Sequence, residues 1–215
     1  MTKEHKSSTN PWIYILVRII IYGGIMLLLA QFLMWDARST APMKFSENTF
    51  TEWAQQSILF TMALLFGIIA WKQSQQRALS IVLAGISLVG LVREYNNFFN
   101  NQVFDGAWQL TALVVTAVTV LLFYPYRREL GSDLKRYQGT LSLGFLLAGF
   151  LTTFIYSRLF GRTVFWQTLM EDDYLQNAKN AAEEGSELLG YGLLLMASIE
   201  YFMAFSQKKI RDVKA

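Results

Sequence analysis

The chain of 215 residues contains no cysteine and a single histidine, His5. The first absence removes disulfides, thiolate metal ligands and cysteine nucleophiles together, and leaves the redox compartment unmarked. The second removes a haem held by two imidazoles of one chain, and any zinc site built on several histidines. A Ser–His catalytic pair would have to recruit His5 from the polar stretch MTKEHKSSTN, where it reads as a solvated residue. No cofactor is expected, neither haem nor zinc. Charge is sparse as well, at 16% of residues, with a formal excess of only +3. That excess sits in particular loops and lacks the basic stripe of a nucleic-acid footprint, so no nucleic-acid partner is expected.

What the chain has instead is apolar length. Six segments, about 12–35, 53–71, 78–94, 107–124, 141–160 and 187–206, are dominated by aliphatic and aromatic side chains. Roughly 20 apolar residues in a helix cross the hydrocarbon core of a bilayer. The fold class predicted is therefore all-α: a polytopic transmembrane helical bundle of six spans, residues 12–207, between a polar tail, 1–11, and a basic tail, 208–215. The 16 Phe, 10 Tyr and 6 Trp fit that reading. Trp12, Trp35, Trp53, Trp71 and Trp108 all fall at segment edges, where indole rings favour the headgroup level. The first segment runs too long for the 7–15-residue core of a cleaved signal peptide, and it reads as a retained signal anchor.

Local signals mark the segment ends. Pro11 suits the first turn of a helix, after capping candidates in Ser8-Thr9-Asn10. Thr49-Phe50-Thr51-Glu52 fits a capping box, with a hydroxyl at the cap and a carboxylate three residues on. The short polar turn 72–77 makes the second and third segments antiparallel neighbours. The third segment is apolar for only about 15 residues, or about 22 Å of helix, so Arg93 and Glu94 must lie within its last turn if it is to span. The amide-rich stretch 95–101 and the Asp105-Gly106 turn follow. Gly139, Gly144 and Gly149 offer close helix approach near the fifth segment. The polar stretch before the sixth segment has helical character, with Lys179 and Glu183 spaced i,i+4, and predicts a helix lying on the surface or rising from it, with Gly185 as the candidate point of interruption.

Lys and Arg counts set the expected orientation. Twelve lie in the two tails and the 72–77 and 126–137 connections, and six in the alternate set of connections. That bias predicts both termini in the cytoplasm and a multi-pass protein of a bacterial inner membrane. The 36–52, 93–106 and 161–186 connections would then face outward.

The outward helix ends gather the residues with chemical potential. Arg93 and Glu94 close the third segment, Arg158 and Arg162 close the fifth, and Glu183, Glu184 and Glu187 enter the sixth. Glu47 and Glu52 stand where the second segment opens. Glu183 and Glu184 lie four and three residues before Glu187, which places all three carboxylates along one side of a helix, where they repel unless a cation or an arginine lies among them. Three readings compete: solvated loop charges, an ion-pair cluster that locks the helix ends, or a ligand pocket. In the last, Glu94, Glu184 and Glu187 are the oxygen donors available to a divalent cation. A second constellation lies deeper: Arg18 in the first segment and Glu200 in the sixth sit at matched depth, which predicts an intramembrane pair.

Function is expected to be that of a non-enzymatic accessory or binding protein, engaging a protein partner, a further copy of itself or a ligand through the outward face, in contact with membrane lipids. Two alternatives stand beside it. One is a small transporter or channel subunit. The other is a membrane-embedded enzyme acting on lipid head groups through carboxylates and a divalent cation.

Overall fold

The computed structural model describes residues 11–40, 44–45 and 49–206. His5, Ser8-Thr9-Asn10, Pro42, Glu47 and the basic tail lie outside the described residues. Among those described, every regular element is helical: α1 Pro11–Ala37, α2 Phe50–Lys72, α3 Arg77–Glu94, α4 Asn96–Gln102, α5 Ala107–Phe123, α6 Leu130–Tyr137, α7 Leu141–Leu151, α8 Ser157–Phe160, α9 Thr163–Met170 and α10 Gln176–Ser206. A π-turn, Thr152–Tyr156, joins α7 to α8 without a break. Six helical stretches are long and apolar enough to cross a membrane: 12–37, 50–72, 74–94, 107–126, 141–160 and 176–205.

α10 is the axis of the bundle. It packs on α7, α2, α1 and α8, and 61% of its most apolar window is buried, against 6% for α1 and α5. α3 lies between α2 and α5, so α5 reaches the rest of the bundle chiefly through α3. The core runs along the α2–α10 seam, through Ile58, Leu59, Met62, Phe66, Ile69, Leu188, Leu194 and Tyr201. The outer sides of α1, α5 and α7 are sheathed in exposed Leu, Ile, Val and Phe.

α7 and α10 approach to backbone contact. A Cβ built on Gly190 would stand 2.1 Å from Thr153 Oγ1 and 2.7 Å from Thr153 N, and one on Gly149 would stand 2.9 Å from the Gly190 carbonyl. Gly149 thus serves the role expected of it. Gly144 faces open space, and Gly139, with φ 75°, serves the turn into α7. The contact falls beside the π-turn, whose extra residue widens α7 locally.

Two sequence expectations are corrected. The polar stretch before the sixth segment is helical as expected, but it is not interrupted at Gly185: α10 runs unbroken for 31 residues, about 46 Å at the α-helical rise. Its first turns are anchored, because Asn177 Oδ1 accepts the backbone N–H of Lys44 at 3.0 Å and Lys179 pairs with Glu183. A Cβ on Gly185 would meet only Leu33, in ordinary contact at 3.6 Å, so that glycine continues the helix. The connections read as loops also contain helix: the amide stretch forms α4, and α6 and α9 occupy 130–137 and 163–170.

The glycine contact predicts a contrast within one interface. Gly190→Ala forces a methyl into the Thr153 backbone and should cost about 1–3 kcal/mol, as overpacking does. Gly144→Ala, exposed on the same helix pair, should stay within about 0.5 kcal/mol of the parent. Thermal unfolding in detergent checks both, and equal effects would remove the close approach as a determinant of the fold.

Candidate functional site

The site begins with a helix cap supplied from another helix. Asp36, in the last turn of α1, accepts the N–H groups of Phe50 and Thr51 at 2.9 and 2.8 Å and the Thr51 hydroxyl at 2.5 Å. The orphan amides of the α2 N-terminus are thereby satisfied by a buried carboxylate at the positive end of the helix. Thr49 adds the local half of the cap, its Oγ1 accepting the N–H of Glu52 at 3.2 Å. With its start pinned, α2 directs Glu52 and Gln55 inward. The last turn of α3 brings Arg93 and Glu94 alongside, and Gln56 Nε2 donates to the Glu94 carbonyl at 3.4 Å.

These groups meet α8 and α10 around an open polar pocket of about 380 Å³, lined by Phe45, Glu52, Gln55, Arg93, Glu94, Asn96, Asn97, Arg158, Glu184 and Glu187. We call this the near end of the bundle. Its carboxylates are held individually. Tyr191 donates to Glu94 Oε1 at 2.7 Å, and Gln55 Nε2 donates to Glu184 Oε2 at 3.1 Å. Arg158 forks between Glu183, at 3.1 Å, and Glu187, at 2.8 Å. The second contact is an ion pair out of line for a hydrogen bond, because Glu187 Oε1 is buried and has no hydrogen-bond donor. Arg93 lies within electrostatic reach of Glu187 and Tyr191, yet among the described residues it forms no ion pair or hydrogen bond.

Of the nine charged residues singled out from the sequence at this end, six line the pocket: Glu52, Arg93, Glu94, Arg158, Glu184 and Glu187. Glu183 stands behind the wall as the partner of Arg158 and Lys179. Arg162 is exposed at the start of α9 and joins no ion pair among the described residues. No group of three His, Cys, Asp or Glu able to hold a metal ion occurs among the described residues. Glu94, Glu184 and Glu187 are instead engaged one by one, by a phenol, an amide and a guanidinium. Phe45, Gln55, Asn97 and Tyr191 were not singled out by sequence reasoning. Tyr191 follows Glu187 by four residues, which places it on the same helix face; Gln55 stands beside Gln56 in the polar first turns of α2, with no local signal to set it apart.

The deeper constellation is a cluster of four residues, the ion pair Arg18–Glu200 flanked by two tyrosines. Arg18 Nη2 lies 2.6 Å from Glu200 Oε2 and 2.7 Å from the Tyr14 hydroxyl, with the guanidinium 4.1 Å from the Tyr14 ring centre. Tyr22 donates to the other oxygen of Glu200. Tyr14, Arg18 and Tyr22 recur every four residues on one face of α1, the signal that would have found both tyrosines. Glu200 is 4% exposed.

A further polar network closes the far end. Asp133 on α6 accepts the N–H of Leu79 at 3.2 Å and caps α3 from outside, as Asp36 caps α2. Burial raises its carboxyl above the ordinary value, against the lowering effect of the Leu79 amide and Arg136. Tyr201 donates to Gln76 Oε1 at 3.1 Å and accepts from Ser80 at 2.8 Å. Tyr137, pushed up to about 12 by burial, donates to Ser142, which donates to the Ala197 carbonyl at 2.7 Å.

No family model, curated protein or solved structure matches the chain. Its reading rests on this geometry.

The Arg18–Glu200 pair predicts non-additive losses. Removing one partner of a buried ion pair leaves an uncompensated charge and costs about 3–5 kcal/mol. Arg18→Leu and Glu200→Leu should each approach that loss in detergent unfolding, and the double variant should recover part of it. Simple addition of the two losses would show that the pair is not energetically coupled.

Proposed function

We propose that this is a multi-pass membrane protein of a bacterial inner membrane, with both termini cytoplasmic, that acts as a non-enzymatic binding subunit through the pocket at its outward, near end. The observation that carries the reading is the pocket itself: two guanidiniums and four carboxylates on the ends of α2, α3, α8 and α10 surround open space. Placing six helices with apolar outer sides in lipid accounts for the sheath of exposed Leu, Ile and Val, which in water would form an apolar patch far beyond that of a soluble monomer. The basic bias of the alternate connections orients them.

Two features favour binding over the alternatives. The carboxylates are committed to neighbours rather than paired for acid–base exchange, which speaks for recognition over chemistry. Beneath the pocket the α2–α10 seam is apolar, with Ile58, Leu59, Met62, Leu188 and Leu194 buried, and this separates the near-end charges from the far-end network. A transport route would need polar groups in that interval.

The cysteine-free chain makes the test direct. The excess of carboxylates gives the pocket a negative field, which raises the local concentration of cations. In intact cells, Asn97→Cys should react with an impermeant cationic thiol reagent, and about 3–10-fold faster than with its anionic counterpart. Ser74→Cys, at the far end, should stay unlabelled until the membrane is permeabilised. Labelling at Ser74 but not at Asn97 would invert the orientation, and equal rates for the two reagents at Asn97 would remove the negative field.

A further inference from the structure

Resting on the pocket reading above, we propose that the ligand is a small zwitterion: a primary ammonium and an acidic group, carboxylate or phosphate, joined by a short linker.

Residual charge in the pocket selects the ligand. Arg158 is consumed within the wall by Glu183 and Glu187, and Lys179 also serves Glu183. What still faces the open space is one guanidinium, Arg93, and two carboxylates, Glu94 and Glu184. Arg93 has five donors and, among the described residues, no acceptor. A half-buried guanidinium in that state offers a forked seat for a carboxylate or phosphate. The carboxylates, although each takes one donor, retain lone pairs suited to the three hydrogens of an ammonium. A second observation points the same way. Glu187, a lining residue, is 5% exposed, and its buried Oε1, 2.8 Å from Arg158 Nη2 in an ion pair, has no hydrogen-bond donor. A buried acceptor left in that condition is costly, and a donor supplied by a ligand would relieve it.

Each simpler ligand leaves part of the site unsatisfied. A bare divalent cation meets no cluster of three carboxylates and faces the repulsion of Arg93. A simple anion suits Arg93 but confronts the carboxylates. A monovalent amine suits the carboxylates and leaves Arg93 empty. The pocket volume of about 380 Å³ corresponds to roughly a dozen water molecules at the liquid value, so it admits a molecule of about ten non-hydrogen atoms. Asn96 and Asn97, with Gln55, can bond the linker or the remaining acid oxygens. Two sources share this chemistry: the ethanolamine head group of a phospholipid, and a free amino acid.

The test uses the full chain in nanodiscs of phosphatidylcholine, with calorimetric titration of O-phosphoethanolamine, β-alanine, ethylamine and methyl phosphate. Zwitterions should bind at least about tenfold more tightly than either singly charged probe, the increment of one further charge-assisted hydrogen bond. Arg93→Gln should abolish the preference over ethylamine, and Arg93→Lys should restore much of it. Glu184→Gln, which can still accept from Gln55, should abolish the preference over methyl phosphate. Thermal unfolding of each variant separates lost recognition from lost fold. Repeating the titration in nanodiscs containing phosphatidylethanolamine assigns the source: occlusion of the soluble probes supports the lipid head group, and undiminished binding supports the free amino acid. If ethylamine or methyl phosphate matches the zwitterions, the ligand class is wrong while the pocket reading survives. If no probe binds wild type in either nanodisc, the pocket reading fails with it.

Discussion

α10 carries Glu184, Glu187, Tyr191, Glu200 and Tyr201 through the most buried position in the bundle, and none of these groups can be placed there alone. An ion or phenol taken out of water needs a partner with good geometry, or the helix that bears it cannot be buried. Each finds that partner on a different element: Gln55 on α2, Arg158 on α8, Glu94 on α3, Arg18 and Tyr22 on α1, Gln76 and Ser80 at the start of α3. The arrangement of helices around α10 is the arrangement that satisfies all of them together. Between long apolar helices burial alone discriminates poorly among neighbours, because one aliphatic surface packs much like another. Polar pairs and close contact supply the discrimination. The Gly149–Gly190 approach fixes α7 against α10 by shape, where no charge is available to do so.

The same economy governs the helix ends. α2 and α3 are both capped by aspartates from other elements, Asp36 and Asp133, each buried. A cap of this kind does two things. It satisfies orphan amides, and it ties one helix end to another. The α1–α2 tie places Glu52 and Gln55 where α10 presents Glu184, and the polar pocket is the space left between them. The pairing that fixes the helix ends therefore also shapes the pocket at the near end. The pairs hold the walls, and on the proposed reading the charges left over after pairing, Arg93 with Glu94 and Glu184, define what the space accepts.

Much of the architecture was legible in the chain. Hydropathy located six helices, since a 20-residue apolar run can satisfy its backbone in lipid only by forming a helix. The Thr49–Glu52 cap was legible because capping is local. Arg18 and Glu200 were paired on depth alone, because two opposite charges in apolar segments have few other options. Arg93 and Glu94 were placed in the last turn of their helix by the shortness of its apolar run.

Other features escaped because they depend on partners distant in sequence. Nothing near Arg162 distinguishes it from Arg158, four residues and one helical turn earlier. Only the docking of α8 on α10 gives Arg158 two carboxylates and leaves Arg162 in the open. Nothing near Gly185 says that it continues a helix, whereas Leu33 packed against it and Lys44 tied to Asn177 do. Asp36 and Asp133 read as loop charges until the N-termini of α2 and α3 arrive beside them. The sequence by itself determined the six long apolar helices and the place of each charge along them, since these follow from periodicity and hydropathy along one segment. Tertiary structure decided which charges meet, which stay free and where a pocket opens, since partnership between groups on different helices is a property of their packing and of no single segment.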